Sequence, residues 1–113
     1  MEGKITYKLS VRLFRGNKCF GPGIAELLRR VDETHSLRAA AMSMEMAYSK
    51  AWRIMNEAEK ELGFDLICST TGGPHGGGAE LTPEGRDMLR KYEAFVCGIS
   101  READRLLGEI FSE

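Results

Sequence analysis

Between Lys4 and Phe14 the chain alternates apolar and polar residues. Ile5, Tyr7, Leu9, Val11 and Leu13 fall on one side, and Lys4, Thr6, Lys8, Ser10 and Arg12 on the other. A period of two predicts a strand with one buried face. Arg15-Gly16-Asn17-Lys18 has turn chemistry and Cys19-Phe20 can form a short return strand, so residues 1–21 are expected to form a hairpin. The period then changes. Behind Gly21-Pro22-Gly23, residues Ile24, Leu27, Leu28 and Val31 recur at helical spacing, with Glu26, Arg29, Arg30 and Glu33 outside. The N–H that proline lacks would be unpaired in a first turn anyway. A helix from Pro22 to Thr34 is therefore predicted.

Ser36 can cap a second, short helix whose inner face is Leu37, Ala40, Ala41 and Met44. Met44-Glu45-Met46 then forms a tight turn. A third helix is predicted from Ala47 to Leu62, stopped by Gly63. Its inner stripe reads as Tyr48, Ala51, Trp52, Met55 and Leu62, which places Trp52 in the core. Ser49, Arg53, Asn56 and Lys60 lie opposite, flanked by Lys50 and Glu57. Leu66 to Thr70 and Ala79 to Leu81 read as strands on either side of a glycine-rich loop. Thr82-Pro83-Glu84 combines a cap, a first-turn proline and an acid at the positive helix end. From there Met88, Tyr92, Phe95, Val96, Ile99, Ala103, Leu106 and Ile110 recur every three or four residues, predicting a long helix to about Phe111.

The resulting class is α+β, mainly α. Two helices joined by a tight turn and followed by a hairpin have the layout of a winged helix-turn-helix, with the glycine loop as the wing. The 113 residues fit one domain: the hairpin over 1–21, three helices and the wing over 22–81, and the long helix over 82–113. That last helix carries more apolar surface than a three-helix core can cover, which points to an interface. A twofold homodimer is the commonest solution.

Candidate chemistry narrows the functional classes. The loop TGGPHGGG lacks the Gly-Lys-Ser/Thr ending of a phosphate loop and leads into a strand rather than a helix. A dinucleotide fingerprint does not fit either. Glycines at a hairpin tip instead let backbone N–H groups approach a phosphate with no side chain between. No nucleophile, base and orienting group are placed together by a motif, so an enzyme is not expected. Cys19, Cys68 and Cys97 are scattered, and His35 and His75 are the only histidines. Neither a disulfide framework nor a metal site is expected, and no cofactor. The cysteines read as buried or half-buried thiols, and His35 as a helix-ending turn residue. With no apolar run near the ~20 residues of a membrane span and no signal-peptide core, a cytoplasmic protein without a membrane partner is expected.

The net charge of −1 conceals an uneven distribution. Residues 1–60 carry 11 Lys/Arg and 7 Asp/Glu, whereas residues 61–113 carry 5 and 10. A basic face is therefore compatible with the neutral sum.

SLRAAAMSMEMAYSKAWRIMN at residues 36–56 and TGGPHGGGAELT at 71–82 resemble the N-terminal DNA-binding domain of the molybdate-responsive (ModE-type) transcriptional regulators. The likeness to the winged helix of LysR-type regulators is more distant. GPG at 21–23 and LTPEG at 81–85 extend it over nearly the whole chain. The resemblance implies a homodimer paired through the C-terminal helix, binding double-stranded DNA with its third helix in the major groove. Ser49, Lys50, Arg53 and Asn56 would then meet the groove, with Lys50 and Arg53 able to donate to guanine and Asn56 to pair with adenine. Ser49, Tyr48 and Arg38 would reach phosphates, and Gly73, His75 and Gly76 would bring the wing to the backbone or the minor groove. No molybdate is expected in this stretch of chain, because that ligand belongs to a further domain in the family. Three positions depart from the family pattern: Glu45 for glycine in the turn, Ala47 for a capping serine, and Pro74-His75 for a basic wing residue. The alternative reading is a winged-helix protein-interaction module with weak or no DNA binding.

Overall fold

The structure, a computed structural model, describes residues 3–73 and 76–112, with backbone alone over 71–73 and 76–77. Strand β1 (Leu13–Arg15) pairs antiparallel with β2 (Asn17–Phe20), and three helices follow: α1 (Pro22–Thr34), α2 (Leu37–Ser43) and α3 (Tyr48–Leu62). Strands β3 (Ile67–Gly73) and β4 (Gly76–Leu81) form a second antiparallel hairpin, and α4 (Pro83–Ile110) closes the order. This is the winged helix-turn-helix that the sequence predicts.

The core sits where α1, α2, α3, β2 and the base of α4 meet. Phe20, Leu27, Leu28, Val31 and Leu66 are fully enclosed, and alanines 25, 40, 41 and 51 leave no side-chain bulk between the helices. Such small contacts let helix axes approach closely and fix the angle at which α3 leaves the body. Phe20 meets Tyr92 of α4 edge-to-face at 5.0 Å. The Tyr92 hydroxyl donates to the Val11 carbonyl at 2.7 Å, so the base of α4 is tied to the segment leading into β1.

Local chemistry sets the helix ends. Ser36 Oγ accepts from the Ala39 N–H at 3.0 Å and starts α2. Thr82 Oγ1 accepts from Gly85 N–H at 2.8 Å and donates to the Asp65 carbonyl at 2.6 Å, so it starts α4 and anchors it to the wing entry. His35 ends α1 with φ 59°, the turn role expected of it. The α2–α3 turn closes with Glu45 N–H on Met42 O (3.0 Å) and Met46 N–H on Ala41 O (2.9 Å), the paired bonds of a Schellman end. That geometry puts Glu45 at φ 53°, a left-handed conformation that costs a non-glycine residue about 1–2 kcal/mol.

The wing is held against the helix-turn-helix by its backbone. Ala79 N–H donates to His35 O at 2.9 Å, and a Cβ on Gly78 would lie 2.5 Å from that same oxygen. Glycine is required at 78 by this close approach.

Four expectations are corrected. Residues 4–12 join no ladder, because the four-residue β2 reaches only as far as Leu13. Their apolar face is not buried: Ile5, Tyr7 and Leu9 are exposed. The segment lies along α4 instead, where the Tyr7 hydroxyl meets Ser100 O (3.1 Å) and Asp104 Oδ1 (2.7 Å). Second, Trp52 and Tyr48 lie outside the core, because the buried stripe of α3 runs through Ala51, Met55, Ala58 and Leu62. Third, the glycine run is strand rather than loop up to its tip: the ladder continues to Gly73 opposite Gly76, with an irregularity after Thr70. Fourth, Cys19 is buried, but Cys68 on β3 and Cys97 on α4 are exposed.

Candidate nucleic-acid interface

Helix α3 presents its first half to solvent because its buried stripe is narrow, with only Ala51 and Met55 buried between Tyr48 and Asn56. Ser49, Lys50 and Arg53 are exposed and Asn56 is half-buried, all on or beside the outer face. From Met46 to Asn56 the chain has no acidic residue. No side chain caps the helix at Ala47; the Lys50 N–H closes on the Ala47 carbonyl at 3.1 Å, and the Tyr48 and Ser49 N–H groups of the first turn are left for an external acceptor. The positive end of the helix dipole adds to the local attraction for anions.

Helix α2 contributes Arg38. Its guanidinium carbon lies 4.2 Å from the centre of the Tyr48 ring, a cation–π contact that holds the side chain beside the start of α3. The structure therefore brings Arg38 and Tyr48 together. Eight ion pairs occur among the described residues, and none includes Arg38, Lys50 or Arg53. Among the described residues, no carboxylate pairs with the cations of this face.

A cleft of about 920 Å³ separates α3 from the wing. Arg38, Tyr48, Trp52 and Asn56 form one wall, and Ser69, Thr70 and Gly78 the other. Glu59 also lines it, but its Oε2 accepts from Leu66 N–H at 2.7 Å and Ile67 N–H at 3.3 Å. That carboxylate joins the wing entry to α3 and is turned to the backbone. Gly73 and Gly76 face each other at the far end of the ladder, on the same hairpin. His75 lies outside the described residues. The expected site residues thus divide into a compact group, Arg38 to Asn56, and the distal part of the wing.

The sequence pattern missed Trp52, Ser69 and Thr70. Ranking positions by hydrophobicity draws an indole inward, but the buried stripe of α3 runs through Ala51, Met55 and Ala58, and Trp52 stands to one side of it. Nothing local marks Ser69 and Thr70, because their position depends on how the wing folds back. Among the described residues no helix is long and apolar enough to cross a membrane.

Comparisons with known proteins agree with this geometry. Residues 25–86 match the family described as bacterial regulatory helix-turn-helix protein, lysR family. The transcriptional regulator ModE of Yersinia pestis is 32% identical over 102 residues, covering 90% of this chain and 37% of that protein. The DNA-binding transcriptional dual regulator ModE of Escherichia coli (strain K12) is 30% identical over 105 residues, with 93% and 38% covered. The molybdenum-pterin-binding protein MopB of Rhodobacter capsulatus is 32% identical over 75 residues, with 66% and 28% covered. The chain thus spans well under half the length of these relatives. Among solved structures, the CbnR DNA-binding domain in its DNA complex superposes with a TM-score of 0.59 at 24% identity, over 78% of this chain and 95% of that one. The match spans α1, α2, α3, the wing and the start of α4, the elements that build the face described above, and this chain belongs to the lysR family of bacterial regulatory helix-turn-helix proteins.

Proposed function

We propose that this chain binds double-stranded DNA as a homodimer and acts in transcription regulation, with α3 in the major groove. The observation that carries the reading is the uncompensated cationic face: Arg38, Lys50 and Arg53 point outward with no carboxylate partner among the described residues, around a helix start that is free of acids and side-chain caps. Arg53 and Lys50 can donate to guanine, and Asn56 can pair with adenine. Arg38, Ser49 and Tyr48 are suited to phosphates, and Gly73, His75 and Gly76 to backbone contact from the wing. The family relationship and the names of the ModE relatives and of the CbnR–DNA complex support the same partner.

Pairing through α4 gives the exposed apolar surface an occupant. Only the first half of α4 is rooted in the core, through Leu89 and Tyr92, with Met88 and Val96 at its edge. Phe95 on that half and Leu106, Ile110 and Phe111 beyond it are exposed, as are Ile5 and Leu9 on the segment alongside. A second copy would cover this surface and set two α3 helices about 34 Å apart, one turn of duplex. In this reading residues 22–81 bind DNA and 82–113 pair the subunits, in a cytoplasmic protein that takes no molybdate on this stretch.

A labelled random-sequence duplex titrated with protein at rising salt tests the DNA reading. Affinity is expected to fall steeply, because each phosphate contact releases counterions. Negligible binding at low salt would leave the interaction-module reading standing. Light scattering at micromolar protein tests the pairing, with a dimer expected and a monomer contradicting it.

A further inference from the structure

Trp52 is the only tryptophan of the chain, and its side chain is in water: the residue is 56% exposed. An indole seldom stays uncovered without a partner, since its ring brings a large apolar surface and gains most when desolvated. Its position is informative. Along α3, successive residues turn by 100°, so Trp52 lies one step round from the outward stripe of Ser49, Arg53 and Asn56, on the flank that faces the wing. It lines the cleft there with Tyr48 and Asn56, opposite Ser69 and Thr70. The surroundings suit a polyanion: Arg38 lines the same cleft, Arg53 follows Trp52 along the exposed face, no acid occurs from Met46 to Asn56, and Glu59 is engaged by two backbone N–H groups.

We propose that Trp52 reads thymine, by covering its 5-methyl group at the edge of the major groove. This rests on the DNA-binding reading above and adds a specificity determinant to it. The donors of the outward stripe match the hydrogen-bonding edges of bases, whereas the methyl of thymine is the apolar feature the groove offers. That methyl projects toward the groove wall, close to the backbone of its own strand. A helix seated in the groove meets that wall with its flank, not its centre. The flank next to the wing is where this chain places its largest flat apolar side chain, beside a cleft of about 920 Å³.

The probe is a duplex that the protein itself selects from a random pool, with each thymine then replaced singly by deoxyuridine, which lacks only the methyl. For the native protein, one such replacement per half-site is expected to weaken binding about fourfold, the worth of burying one methyl group. For Trp52→Ala, the same replacement is expected to change nothing at that position and to keep its effect elsewhere. Trp52→Phe, which keeps an apolar ring, should retain part of the fourfold effect. Because the indole is exposed, both variants are expected to melt with the native protein. Tryptophan emission, which can come only from Trp52, should change on adding the selected duplex. If no thymine is methyl-sensitive, or if the sensitivity survives Trp52→Ala, another group meets the methyl and the inference is wrong while DNA binding stands. If the pool yields no bound duplex, the DNA-binding reading fails and the inference with it.

Discussion

Two charged faces of this small protein solve opposite problems. On the side where α1 meets α4, cations and carboxylates neutralise one another. Arg29 reaches Glu26 at 2.9 Å and Glu93 at 2.6 Å, Arg30 reaches Glu26 at 2.7 Å, and Arg86 reaches Asp32 at 2.8 Å. On the α2–α3 side, Arg38, Lys50 and Arg53 have no such partners among the described residues, and Arg38 rests on an aromatic ring. The difference teaches that a net charge of −1 says little about the local field. The first face completes its electrostatics inside the chain, and the second leaves them to be completed by an external anion.

Substitutions on the two faces should therefore separate binding from stability. The largest effect is expected for Arg53→Ala, which should weaken binding to a selected duplex by about 1–3 kcal/mol and relax preference at one position while the melting temperature stays put. An equal loss on every sequence would make Arg53 a phosphate contact. Gly78→Val should act the other way. It forces a side chain against His35 O, destabilising the fold by about 1–3 kcal/mol in a thermal melt and shifting the wing. An unchanged melt would mean that the wing base yields without cost. Glu45→Gly is expected to raise stability by about 1 kcal/mol by relieving the left-handed strain, and to tighten DNA binding by removing a carboxylate next to the turn. If stability falls instead, Glu45 makes a contribution that its backbone angle does not show.

The smallest effect concerns acid. The Arg86 hydrogen bond holds the Asp32 carboxyl below its usual range, and the Arg30 hydrogen bond does the same for Glu26. A lowered folded-state value means that the stabilisation is present above the ordinary carboxylate range, about pH 4. It is lost as pH falls through the lowered values. The groups are solvent-exposed and screened, so the loss is small. Asp32→Asn should flatten the acid limb of a stability–pH curve slightly and leave duplex affinity unchanged. A marked drop in affinity would join the two faces functionally.

Much of the fold is legible because its signals are local. Pro22 to Thr34 is bounded by a proline and by His35, Ser36 starts α2 with its own hydroxyl, and Thr82-Pro83 starts α4. The N-terminal segment misleads because alternation specifies a face and not a partner: β2 ends before residues 4–12 can pair. The polar members of the candidate site are legible from the outer stripe of α3. Trp52 is not, because its exposure follows from the burial of Ala51, Met55, Ala58 and Leu62 beside it, a matter of packing. The cleft is likewise tertiary, made by the Ala79–His35 backbone bond and the Glu59 clamp on the wing entry.

Selection of bound duplexes from a random pool, run in parallel with the native chain and with a variant carrying Ala at 38, 50 and 53, tests the claim that the unpaired cations await DNA. The native chain is expected to enrich a twofold-related site with half-sites one helical turn apart, and the variant to enrich nothing. No enrichment by the native chain, or the same enrichment by the variant, would contradict it.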